Sequence, residues 1–227
     1  TAGSVLFTNE GRTVELATLP QKQLKPLRRE MQMIFQDPFS SLNPRMTVGD
    51  IIAEPLLIHG IGSRRERTQR VAEMLKRVGL EPDHMRRYPH AFSGGQRQRI
   101  GIARALILKP ALVVADEAVS ALDVSVRATV LDLLRELQRE LNLTYLFVSH
   151  DLSVIRSFCD RLVVMYRGRV MEMGDTRTIF ANPQHAYTRV LLSAIPYPDP
   201  DRRLQPLSVS DLTPDQLEPL PSVAAFA

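Results

Sequence analysis

The 227-residue chain carries 29 Lys and Arg against 25 Asp and Glu, a net charge of +4. That mild excess allows an anionic partner, a nucleotide or a membrane surface, but ordinary solvated charge explains it equally well. A single cysteine, Cys159, excludes an internal disulfide framework and suits a reducing compartment, and no apolar stretch approaches the roughly 18–20 residues that span a bilayer.

In chain order, residues 4–8 and 12–16 read as short strands joined through Asn9-Glu10-Gly11, a hairpin signal. Residues 21–29 form a basic helical approach to a strand at 31–35, and Gln36 follows directly. Asp37-Pro38-Phe39-Ser40-Ser41-Leu42-Asn43-Pro44 is turn-rich, as a hinge into another lobe should be. Residues 47–59 suggest an amphipathic helix whose apolar positions include Val48, Ile51, Ile52, Leu56 and Leu57, interrupted by Pro55. A second helix over 63–78 has Ser63 to cap it and Val71, Met74, Leu75 and Val78 as its buried stripe. Arg64, Arg65, Arg67 and Arg70 make it basic. With no interleaved aromatics these read as a solvated face, and no nucleic-acid partner is expected. His84, Arg86, Arg87 and His90 come next. They lack the acid or cysteine spacing of a metal site and read as positional or surface residues.

The chain is organised around residues 91–123. Ser93-Gly94-Gly95-Gln96 opens a helix, and two glycines let backbone N–H groups approach a ligand where the helix dipole favours a phosphate. Lys109-Pro110 stops that helix. Ala111-Leu112-Val113-Val114-Ala115 is an unbroken apolar run, the pattern of a parallel strand covered on both faces. Asp116 and Glu117 fall at its carboxyl end, where open α/β sheets bind ligands. An Asp there suits Mg²⁺, and a neighbouring Glu suits water activation. Taken alone, the pair reads as a solvated acidic loop. Residues 124–141 suggest a long helix, and 144–149 a further apolar strand closed by His150. Residues 152–158 read as a short helix, 161–166 and 169–173 as a hairpin across Arg167-Gly168. Residues 180–196 contain one more short helix. Beyond Pro196 the chain is proline-rich and aperiodic, so an extended or disordered tail is expected.

SGGQ, an apolar strand ending in Asp-Glu, and Ser120-Ala121-Leu122-Asp123 together resemble the nucleotide-binding subunit of ATP-binding-cassette transporters, over residues 1 to about 193. By that resemblance Ser93, Gly94, Gly95 and Gln96 are the signature motif, and residues 112–116 the Walker B strand. Asp116 and Gln36 would hold Mg²⁺, Glu117 would be the catalytic base, Asp123 would belong to the D-loop, and Gln36 and His150 would be the Q-loop and switch residues that position water. The wording QDPFSSLNPRMTVGDII and FANPQHAYTRVLLSAIP resembles the oligopeptide/dipeptide importer branch in particular.

The resemblance implies an α/β fold, with a P-loop NTPase-like (RecA-like) core of mostly parallel sheet plus an α-helical subdomain, incomplete at the N-terminus. Residues 1–45 would be the first part of the core and 46–108 the helical subdomain. Residues 109–181 would complete the core, and 182–227 would be the branch's C-terminal extension and tail. It implies ATP and Mg²⁺ as ligands, and hydrolysis coupled to import of peptides or related small solutes. The implied partners are a second ATPase subunit, identical or homologous, and transmembrane permease subunits, with a substrate-binding protein engaged indirectly. Such a subunit works at the cytoplasmic face of the inner membrane, peripherally.

The sequence departs from the family in three places. It contains no Gly-Lys pair, so the phosphate loop G-x-x-x-x-G-K-[ST] is absent. The chain therefore reads as a fragment, and the polypeptide alone is expected neither to hydrolyse ATP nor to fold robustly. Ala118 and Ala186 stand where the family writes proline. Two other functions share parts of the pattern. A non-catalytic partner subunit could use only SGGQ to complete another chain's site. A cassette ATPase of DNA repair would carry a coiled-coil or DNA-binding insertion, and none is present.

Overall fold

The computed structural model describes residues 3–195 and 207–220. Contacts divide the chain into two compact units, Thr1–Ser149 and His150–Ala227.

The first unit opens with the antiparallel hairpin of β1 (Leu6–Asn9) and β2 (Arg12–Glu15). Glu10 and Gly11 both take positive φ, 48° and 76°, the twist a two-residue turn needs to bring right-twisted strands back together. Helix α1 (Gln21–Leu27) leads into β3 (Met31–Ile34). Three helices follow before the sheet resumes: α2 (Val48–Ile58), α3 (Arg64–Arg77) and α4 (Gly94–Leu106). Each starts at a side-chain cap. Thr47 Oγ1 accepts from the Asp50 amide, while Ser63 with Glu66 and Ser93 with Gln96 form reciprocal capping boxes that satisfy otherwise orphaned N–H groups. Helix α2 runs through Pro55 without a break, and two residues past its end Gly60 turns the chain at a φ of 65°, a conformation glycine adopts without strain. Val48, Ile51, Ile52 and Leu56 are buried as their spacing predicts, but Leu57 lies on the outer face. On α3, Val71, Met74 and Leu75 supply the apolar stripe, followed by Val78.

After α4 come β4 (Leu112–Asp116), α5 (Val124–Leu141) and β5 (Thr144–Val148). β4 is the central strand of a three-stranded parallel sheet, β3-β4-β5, with Ile34 opposite Ala115 and Asp116 opposite Val148. Parallel pairing is as the apolar run predicts; cover on both faces is not. Ile34, Val113 and Ala115 point into one fully buried face, against which α4 packs. On the other face Met33 and Leu146 flank Val114 and are 37 % and 55 % exposed. Strand pairing alone hides backbone polar groups but leaves one layer of apolar side chains wet.

In the second unit, α6 (Leu152–Phe158) is capped by Asp151, whose Oδ1 accepts from the Ser153 and Val154 amides. β6 (Arg161–Tyr166) and β7 (Arg169–Asp175) form an antiparallel hairpin turning at Arg167 and Gly168, both at positive φ. α7 (Thr176–Ala181) and α8 (Ala186–Ser193) follow. His185, 2 % exposed, caps α8: its Nδ1 accepts from the Tyr187 amide, so Nε2 carries the proton and donates to the Glu218 carbonyl at 2.9 Å. Buried Glu172 accepts from the Gln184 and His185 amides and fixes the approach to α8.

The expected extended tail is overturned where it can be followed. Residues 196–206 and 221–227 lie outside the described residues. Between them, Val209–Asp211 and Pro214–Leu217 make short 3₁₀ turns. That segment is tied down by a two-pronged Arg169–Glu218 ion pair, by His185, and by the Leu220 amide donating to the Met171 carbonyl. Backbone hydrogen bonds and a forked guanidinium–carboxylate pair need no apolar periodicity, which is why the sequence pattern gives no sign of them.

Ala186 is the first residue of α8, where a proline loses no hydrogen bond and brings a preset φ. Ala186→Pro should therefore leave the fold intact and stabilise it by up to about 1 kcal/mol, read as an unchanged or raised thermal midpoint. A fall of several degrees would show that the helix start is strained by the ring.

Candidate functional site

Two residues 81 positions apart meet at the carboxyl end of the sheet. Ile34 pairs with Ala115, so Gln36 and Glu117 each lie two residues beyond paired positions on adjacent parallel strands. Strands about 4.8 Å apart place such side chains within one hydrogen bond of each other. Gln36 Nε2 donates to Glu117 Oε2 at 2.6 Å. Glu117 has a left-handed backbone, φ 45°, held from both ends: its amide donates to the Val148 carbonyl, and its own carbonyl accepts from the Ser120 amide and hydroxyl. A non-glycine residue in that region stores about 1–2 kcal/mol, which these bonds offset. Asp116, the last residue of β4, is half-buried, and its carboxylate makes no hydrogen bond or ion pair among the described residues.

The signature residues lie at the start of α4. The Ser93 amide donates to Gln96 Oε1 and the Gln96 amide to Ser93 Oγ, so the capping box itself uses both. Gly94 and Gly95 thus supply the open helix-start amides. A Cβ on Gly94 would meet only Phe39 Cε2, at 3.9 Å. A Cβ on Gly95 would fall 2.4 Å from Val126 Cγ1 on α5. Packing does not require the first glycine. The second is required by packing, and it fixes α4 against the helix that begins after Asp123, the N-cap residue of α5, which is exposed.

Phe39 belongs to the turn after Gln36. The Phe39 amide, and then the Ser40 hydroxyl, hold the Asp37 carboxyl below its ordinary pKa. Asn43 Oδ1 accepts from the Arg45 amide farther along. The expected hinge is thus a constrained turn. Two arginines that the motif reading passes over grip it from α4. Arg97 Cζ lies 4.3 Å from the Phe39 ring centroid, and Arg104 donates to the Ser41 carbonyl at 2.6 Å. Their only sequence signal is that two of the helix's three arginines stand two helical turns apart. His84 Nδ1 accepts from the Glu81 amide and its ring meets Phe92 edge-on, while His90 stacks on Tyr88, so both are structural. His150 is the first residue of the second unit, exposed, and directly precedes the Asp151 cap.

Among the described residues no three His, Cys, Asp or Glu side chains cluster as a metal cage. A lone open carboxylate at a strand end, beside a Gln–Glu pair, still fits Mg²⁺ that arrives with phosphate oxygens and water, because that ion takes only one or two protein carboxylates in such sites.

Gly94→Ala should fold normally. Gly95→Ala should cost about 1–3 kcal/mol, because stiff Val126 cannot swing clear, and Val126→Ala should restore the loss. Chemical denaturation of the three variants decides it; equal stability of both glycine variants would refute the packing role.

The ABC transporter family matches residues 1–120, and the oligopeptide/dipeptide transporter C-terminal region matches residues 171–219. A putative peptide import ATP-binding protein of Brucella ovis is 56% identical over 205 residues, which are 90% of this chain and 63% of that protein. A glutathione import ATP-binding protein of Salmonella typhimurium is 52% identical over 216 residues, 95% of this chain and 34% of its own. The chain thus spans less than two thirds of the length of these relatives. Among solved structures, cbiO1 from Clostridium perfringens, part of the ABC transporter complex cbiONQ, superposes with a TM-score of 0.65 at 30% identity, covering 72% of this chain and 64% of that one. The dimeric post-hydrolysis state of an ATP-binding cassette bound to ADP and Pi gives 0.67 at 32% identity, covering 78% and 75%. With more than half of its 227 residues matched by that family, the chain belongs to the ABC transporter family.

Proposed function

We propose that the chain is part of the ATP-hydrolysing subunit of an importer for peptides or related small solutes. The single observation that carries this is the 2.6 Å bond from Gln36 to Glu117 at the carboxyl end of the parallel sheet, beside the open carboxylate of Asp116. The peptide and glutathione importers among the relatives support the cargo class.

Asp116 would hold Mg²⁺, which would supply positive charge against the phosphates of a bound nucleotide. Glu117 accepts the proton of the attacking water as the new oxygen–phosphorus bond forms and the bond from the γ-phosphorus to the β–γ bridging oxygen breaks, so that ADP leaves and inorganic phosphate remains. Its carboxylate is aimed by the backbone bonds that fix residue 117 and by Gln36, which donates to one of its oxygens. The Gly94 and Gly95 amides, at the positive end of α4, suit the γ-phosphate of a nucleotide held by a second ATPase subunit, identical or homologous. Asp123, exposed at the start of α5, would face the same subunit boundary. His150 takes the switch role on its place in the sequence, two residues after β5. Transmembrane permease subunits complete the machine, and the ATPase works peripherally at the cytoplasmic membrane face. No described helix is long and apolar enough to cross a bilayer. The proposed division is a core over 1–45 and 109–181, a helical subdomain over 46–108 and a branch-specific extension over 182–227.

Two measurements test this. In the full-length protein, Glu117→Gln keeps hydrogen bonding but removes the base, so turnover should fall by at least about 100-fold while ATP binding persists. Near-normal turnover in that variant would remove Glu117 from its role. Residues 1–227 alone contain no Gly-Lys phosphate loop, so calorimetric titration with Mg-ATP should show no micromolar binding.

A further inference from the structure

Helix α4 reaches back to the segment on either side of Gln36 at three points. Arg104 donates to the Ser41 carbonyl at 2.6 Å, its guanidinium lies 5.7 Å from the Phe35 ring, and Arg97 lies 4.3 Å from the Phe39 ring. Residues 97 and 104 stand seven apart, on one face of the helix. Arg97 also donates from Nε to the Phe92 carbonyl at 3.0 Å, directly before the Ser93 cap, so one guanidinium touches both the signature start and the turn. Phe35 and Phe39 bracket Gln36, whose amide is bonded to Glu117. A planar guanidinium that stacks and donates at once holds two neighbours in fixed relation, which a flexible ammonium does not.

Taking the ATPase reading as given, we propose that Arg104, assisted by Arg97, is a positioning residue that ties the turn after Gln36 to the signature helix, so that the aim of Glu117 and the pose of Gly94 and Gly95 are set together. Neither arginine touches the reacting atoms. A shift of α4 pulls on Ser41 and Phe39, and through Gln36 alters the hydrogen bond on the Glu117 carboxylate. The turn between is stiff enough to pass the displacement on, because Asp37 and Asn43 each bond an amide two residues ahead. Burial lowers the Arg104 pKa from its ordinary value, the sign of a guanidinium enclosed by protein, with nearby Glu54 favouring its charge.

The test uses the full-length protein as wild type, Arg104→Gln, Arg104→Lys and Phe39→Leu. The last removes an exposed ring under Arg97 with little risk to folding. Peptide-resolved hydrogen exchange without nucleotide should rise about tenfold or more in Arg104→Gln over residues 36–43 and also over 93–97, and Lys should restore it only in part. ATP turnover should show kcat lowered about tenfold with KM for ATP within about twofold, and Phe39→Leu should give a smaller change of the same kind. In a Gln36→Ala background, Arg104→Gln should add almost nothing, since the route runs through Gln36. The proposal is overturned if exchange rises only over 36–43, or if the Arg104 and Gln36 effects multiply independently. It is equally overturned if Arg104→Gln lowers the thermal midpoint with kcat and KM falling together. A wild type that hydrolyses no ATP but shows the paired exchange response would support the linkage and sink the ATPase reading.

Discussion

The amide of Glu117 donating to the carbonyl of Val148 is the contact on which the site depends. It extends the β4–β5 ladder one step past Asp116 while the chain is already turning away at a positive φ. Without it, residue 117 would keep its two bonds from Ser120 but lose its tie to the neighbouring strand. With it, Glu117 is fixed in height by β5 and in direction by the turn to Ser120. The β3–β4 register then delivers Gln36 to the same spot.

The same constraint explains how the helices are placed. Signature helix α4 is pressed between the turn after Gln36 on one side and α5 on the other. Gly94 lies under Phe39, and Gly95 admits Val126 so closely that no side chain fits. Helix α5 starts seven residues after Glu117 and is tied to the sheet by the Tyr145 hydroxyl, which donates to the Leu134 carbonyl. Glu117, Gln36 and the two glycines are therefore linked by short rigid connections inside one compact unit.

Local chemistry was readable from the sequence; register and reach were not. Ser63 followed by Glu66, Asn9-Glu10-Gly11 between strands, and SGGQ before an apolar helix each declare a cap or turn within four residues. The parallel sheet followed from one apolar run. What a run cannot say is whether both its faces find partners, and the exposed Met33 and Leu146 show that pattern describes a strand, not its cover. The bond between Gln36 and Glu117 depends on which residue of β3 faces which residue of β4, information spread over 81 positions. The Arg97 and Arg104 contacts stayed hidden because arginines in a helix usually report solvent. The segment at 207–220 was hidden for a related reason, being held by polar contacts without periodic apolar residues.

Ala118, standing where the family writes proline, can be weighed by magnitude. A proline in a compatible turn contributes about 0.4–1 kcal/mol, mostly by restricting the unfolded chain. The turn at Glu117 already has two bonds from Ser120 and one to Val148, each contributing about 0.5–1.5 kcal/mol. The methyl of Ala118, 1 % exposed, is enclosed besides. Three hydrogen bonds outweigh one fixed dihedral, so the carboxylate keeps its aim without the ring. The substitution bears on how readily the unfolded chain finds this turn more than on the geometry once formed.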